Sequence, residues 1–89
     1  MVKKIAISGE IGTEDGQVSA TWFRSQLPIN GIDPIEVSIH SEGGSVIEGF
    51  SIYDAIKGYA GPKKCVVASA AFSIASFIPM AFDDVEITP

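Results

Sequence analysis

Four short apolar segments alternate with three stretches of helical or mixed spacing, and this alternation constrains the fold more than any other feature. Ile5 and Ile7 sit among small residues, so Lys3–Ile11 reads as a strand. Ile35, Val37 and Ile39 alternate with Glu36, Ser38 and His40, the period of a second strand. Lys63–Ala68 and Val85–Thr88 read as the third and fourth. Between them, Gln17–Leu27 is expected to be a helix capped by Asp15, with Val18 and Trp22 on one face and Phe23 and Leu27 beside them. Pro28–Pro34 is a loop. In Ser45–Tyr59 the sets Ile52, Ile56, Tyr59 and Val46, Phe50, Tyr53 align at helical spacing, which predicts a helix buried on two faces and ended by Gly58, Gly61 and Pro62. Ser73–Phe82 reads as a third helix. The order β-α-β-α-β-α-β, with crossovers of roughly 15 to 25 residues, predicts an α/β protein with a mainly parallel sheet.

Composition narrows the function classes. The 89 residues hold 6 Lys+Arg against 11 Asp+Glu, net −5, which speaks against nucleic acid because phosphate binding needs clustered positive charge. Apolar residues make up 46% and charged residues 19%, a low charge for so short a chain, so part of its surface is expected to be hidden against another subunit or the rest of a longer domain. The fourth strand ends next to Pro89, leaving a sheet edge open, and residues 1–89 are read as the N-terminal half of a single domain. The N-terminus carries no signal-peptide pattern. Cys65–Phe82 is an uncharged run of 18 residues, but three serines, five alanines and Pro79 argue against a membrane span. One cysteine, Cys65, permits no internal disulfide, reads as a core thiol and suits a cytoplasmic location.

Two segments could carry chemistry. In Ile39-His40-Ser41-Glu42-Gly43-Gly44-Ser45-Val46 a strand ends, two glycines follow and a helix starts. Glycines let the backbone approach a ligand, and N–H groups at a helix start favour negative charge. A plain tight turn is the alternative. Neither a nucleotide P-loop nor a dinucleotide fingerprint is spelled here. In Ala68-Ser69-Ala70-Ala71-Phe72-Ser73-Ile74-Ala75-Ser76 a serine falls where a strand turns into a helix, as in a nucleophile elbow, although tight helix packing would also select small residues.

Together, in this order and at this spacing, the segments resemble the proteolytic subunit of the Clp protease, and most closely its phage relatives that act as head maturation proteases. Glu10-Ile11-Gly12 resembles the end of the family's opening strand. Ile39-His40-Ser41-Glu42-Gly43-Gly44-Ser45 is similar to the family's Ile-Asn-Ser-Pro-Gly-Gly-Ser, and Gly49-Phe50-Ser51-Ile52-Tyr53-Asp54 to its Gly-x-x-Ile-Tyr-Asp helix. Ala71-Phe72-Ser73-Ile74-Ala75-Ser76 resembles the Ala-Ala-Ser-x-Ala-Ser around its nucleophile, and Met80-Ala81-Phe82-Asp83 its Met-Ala-Gly-Asp. The resemblance implies a sheet spiralled as in the crotonases, with Ser73 as catalytic serine and the backbone N–H groups of Gly44 and Ile74 as oxyanion hole. Gly43 and Ser45 would flank an extended peptide bound by strand addition. No cofactor or metal is expected.

The same pattern marks departures. The family's histidine lies some 25 residues past its serine and its aspartate further on, so both are expected beyond Pro89. The one histidine here, His40, stands where the family has Asn, beside the glycine turn, and reads as a partly buried polar residue at a strand end. Glu42 replaces a proline, Phe72 a small residue and Phe82 a glycine. Ser45, Ser69 and Ser76 read as cap or packing residues, and Lys63 and Lys64 as solvated charges. The expected function is a serine endopeptidase of Clp type, ATP-dependent and acting on polypeptides. It would be a ring-forming homo-oligomer, with an ATP-driven unfoldase or capsid proteins as partners. The alternatives are an inactive Clp-like assembly subunit and a crotonase-type acyl-CoA enzyme, which shares a backbone oxyanion hole but needs no serine.

Overall fold

The computed structural model describes residues 1–88, apart from the side chains of Ser69 and Ala70. The chain runs β1 (Lys3–Ser8), α1 (Ala20–Gln26), β2 (Ile35–Ser41), α2 (Val46–Gly58), β3 (Lys63–Ala71), two 3-10 turns (Ser73–Ser76 and Ile78–Ala81) and β4 (Asp84–Thr88). The four strands form one sheet in the order β1-β2-β3-β4, every neighbouring pair parallel. This is the mainly parallel α/β architecture that the alternation predicts.

Period-two burial sets the two faces. Ile5, Ile7, Ile35, Val37, Ile39 and Cys65 point to one side and join Phe23 of α1, Ile52 and Ile56 of α2, and Ile74 and Ile78 of the 3-10 turns in a single core. The other side carries a cross-strand row, Lys4, Glu36, Lys64 and Asp84, whose signs alternate from strand to strand. Lys64 bonds Glu86 at 3.3 Å. That hydrogen bond, with the charges of Glu86, Asp84 and Glu36, holds the Lys64 ammonium above its usual range. Val85 and Ile87 pair with Cys65 and Val67 and so belong to the core face. They nevertheless stay 41% and 77% exposed, because no described element packs over that end of the sheet. No described helix is long and apolar enough to cross a membrane.

Several sequence expectations are corrected. The first helix starts at Ala20, not Gln17, and its N-cap is Ser19, whose side chain accepts from Trp22 N. Asp15 cannot serve, because the chain is still extended at Val18, which bridges Ile11. Phe23 and Ala20 are the buried residues of that helix and Trp22 stays 40% exposed. Ser45 caps α2, and the spacing Ser45-x-x-Glu48 looks like a capping box. Glu48 instead reaches Ala20 N at 2.8 Å, so one helix's first turn caps another's. The second helix is buried on one face only, through Gly49, Ile52 and Ile56, while Val46, Ile47 and Phe50 are exposed.

The third helix is absent in α form. Ser73 takes φ 55° and Pro79 has no N–H to donate, so the segment tightens into two 3-10 turns. Phe82, where the family pattern has glycine, is accommodated in the core. Lys63 is not simply solvated: its Nζ donates to Ile56 O at 2.8 Å and Tyr59 O at 2.9 Å, neutralising the C-terminal end of α2.

Cys65 is fully buried, and burial pushes its thiol from 9.0 up to about 12. The unfolded chain therefore loses this proton first, and the folded state becomes less stable as pH rises from about 9 towards 12. Thermal melts across that window should show a fall that is shallower in Cys65→Ala.

Candidate active site

The glycine turn after β2 is fastened to the loop after β1. Ile11 N donates to Gly43 O and Ser45 N donates to Ile11 O, both at 2.8 Å, and Ile11 bridges Gly44 as in a parallel sheet. In such a bridge the middle residue turns its own N–H and C=O away from the partner strand. The Gly44 amide therefore faces away from Ile11, and it has no hydrogen-bond partner among the described residues.

Both glycines are required by backbone shape and by space. Gly43 has φ 103° and Gly44 φ 137°. A Cβ on Gly44 would stand 2.2 Å from Ile11 O. A Cβ on Gly43 would stand 2.8 Å from Ser73 Cβ, 2.9 Å from Phe72 O and 3.4 Å from Ile74 N. The turn after β2 and the start of the first 3-10 turn thus meet across a gap that admits no methyl group. Phe72 N donates to Ser41 O at 3.0 Å, which ties the two segments together just before they meet.

Ser73 is exposed and is the sole described non-glycine residue with positive φ. Left-handed backbone costs an L-residue about 1–2 kcal/mol, and such conformations gather at functional sites. Ile74 is the next residue of the 3-10 turn, and its N–H has no partner among the described residues, as expected in a first helical turn. Ser76 Oγ donates to Ser73 O at 2.6 Å and closes the turn below the hydroxyl. The structure therefore brings together Gly43, Ser73 and Ile74, with Gly44 and Ser45 on the same strap. Ser45 spends its side chain capping α2. The side chain of Ser69 lies outside the described atoms.

His40 is not brought to Ser73. It is exposed, not partly buried, and its Nδ1 lies 2.7 Å from Ala68 O. A carbonyl can only accept, so Nδ1 carries the proton. The bond falls where the β2–β3 register breaks between Ile39 and Ser41, and the ring takes a carbonyl near that irregularity. Among the described residues no cluster of three His, Cys, Asp or Glu side chains could hold a metal.

Residues 3–86 match the Clp protease family. The chain belongs to that family. Fifteen chains of solved structures match it. Among them is a ClpP1 point mutant from Listeria monocytogenes, at 31% identity and a TM-score of 0.73, with 90% of this chain and 46% of that one covered. The chain thus spans about half the length of that Clp relative. A comparison with curated proteins finds no match.

One residue at this candidate site escaped the sequence reading. Ser41 is 2% exposed; its hydroxyl donates to Gly9 O at 2.6 Å and accepts from Gly43 N at 3.0 Å. It pins the glycine turn from behind. A serine two residues before a Gly-Gly pair is the signal that could have found it, since Ser favours such local bonds to backbone. Ser41→Ala leaves a buried acceptor and donor unpaired and should cost about 1–3 kcal/mol, read as a lower denaturant midpoint with unchanged slope.

Proposed function

We propose that this chain is the nucleophile-bearing part of a Clp-type serine endopeptidase, and that residues 1–89 belong to one domain. The contact of the glycine turn with Ser73, held exposed at positive φ, carries the reading. Ser73 Oγ attacks a peptide carbonyl carbon. Its proton passes to a histidine, proposed with its aspartate to lie beyond Pro89, and from there to the amine that leaves as the C–N bond breaks. Water then hydrolyses the ester and restores the serine. The Gly44 and Ile74 amides receive the tetrahedral oxygen, each such donor being worth on the order of 10²–10³ in rate. Gly43 and Ser45 continue the strap along which an extended peptide lies.

Clp family membership and the likeness to a ClpP1 structure support this reading. We extend the proposal to ring assembly, an ATP-driven unfoldase, a cytoplasmic setting and a head maturation role on capsid polypeptides, as in phage relatives.

The test is covalent. A fluorophosphonate applied to the full-length protein should add one adduct, mapped to Ser73. A silent protein that still forms a defined oligomer by light scattering would instead favour an inactive Clp-like assembly subunit. A thermal shift with acyl-CoA and no adduct would favour a crotonase-type enzyme.

A further inference from the structure

Beside the glycine turn lies a cavity of about 430 Å³, lined by Gly9, Glu10, His40, Glu42, Gly43 and Gly44. Ser73 is not part of its wall. Three of the six lining residues are glycines and contribute backbone only. Among the described residues its side-chain chemistry comes from Glu10, Glu42 and His40. Because Nδ1 of His40 donates to Ala68 O, the neutral ring leaves Nε2 as an acceptor. Two carboxylates and one imidazole acceptor therefore border the space, and no lysine or arginine does. Ser41 fixes two parts of the wall against each other through Gly9 O and Gly43 N.

We infer that this cavity is a specificity subsite that takes a basic side chain, lysine or arginine, of the bound peptide. The inference rests on the peptidase reading and goes beyond it by naming a substrate class. An extended peptide placed along Gly43–Ser45 sends alternate side chains to opposite sides, at about 3.3 Å per residue. The backbone of Gly43 and Gly44 forms both the candidate peptide strap and a wall of the cavity, so a side chain one or two residues from the scissile bond reaches it. An ammonium or guanidinium group there can donate to two carboxylates and to the imidazole Nε2, and the carboxylates favour its positive charge. An acidic side chain there meets two like charges and is rejected. Glu42 and His40 are two of the positions where this chain departs from the Clp pattern, and both fall on this wall, so the preference belongs to this chain.

The experiment uses the full-length protein and two peptide series that scan lysine or norleucine, which has an uncharged side chain of similar length, through each position around the cleaved bond. At one position kcat/KM should favour lysine about tenfold, and the ratio should collapse towards one in Glu10→Gln/Glu42→Gln. Glu42→Lys should turn it towards glutamate. Both glutamates are exposed, so circular dichroism should show these variants folded. If wild-type cleaves both series and Ser73 takes the fluorophosphonate, but no position favours lysine or the double variant keeps the preference, this inference alone is overturned. If no peptide is cleaved and Ser73 stays unlabelled, the peptidase reading and the subsite fall together.

Discussion

Ser73→Ala should abolish fluorophosphonate labelling and lower peptide turnover by about 10⁶, while leaving thermal stability within about 0.5 kcal/mol of wild-type. The second half of that expectation is the more demanding. Ser73 accepts from Ser76 through its backbone carbonyl, and no described residue bonds its hydroxyl. Removing Oγ therefore deletes no bond of the fold, and alanine inherits the same positive φ. A serine that closed the turn structurally would show the opposite pattern, losing stability together with activity. Intact mass after labelling and a thermal melt on the same sample separate the two.

Gly44→Ala should be the most damaging glycine-to-alanine change. Its Cβ would meet Ile11 O at 2.2 Å and Ile11 N at 3.0 Å, both backbone atoms that cannot rotate aside. The strap would have to leave Ile11, breaking two backbone bonds and moving the Gly44 amide. A loss of about 3 kcal/mol or more is expected, in the range of other severe steric changes. Gly16→Ala is the control. That glycine also has positive φ, but its added carbon meets nothing within 4 Å, so only the conformational cost of about 1–2 kcal/mol applies. Urea titrations of the two variants side by side should separate contact from conformation.

All four strands were legible because each carries an apolar set with a period of two. The second helix was legible from Ser45, Ile52 and Ile56. Elsewhere, tertiary contacts overrode local signals. β3 runs on to Ala71 because Phe72 N pairs with Ser41 O, and a run of Ala and Ser announces no period. The first helix starts late because Val18 is held by Glu10 O and Gly12 N. Helical spacing in α2 marked Val46 and Phe50 as apolar but could not say that both stay about half exposed, Phe50 with the edge-on ring of Phe77 against it. In the site, motif order pointed to Ser73 and the glycine pair. Their contact depends on two turns some 30 residues apart meeting at the ends of adjacent strands, which no local pattern states. The His40 bond to Ala68 was invisible for the same reason: it exists where the β2–β3 register slips.

The paired-amide cradle in front of Ser73 is tested most directly by a crystal structure of the full-length protein carrying a phosphonyl group on Ser73. The phosphonyl oxygen should sit within about 2.7–3.1 Å of both Gly44 N and Ile74 N. An adduct whose oxygen points to solvent, or reaches one of these amides while the other is turned into the protein, would contradict it.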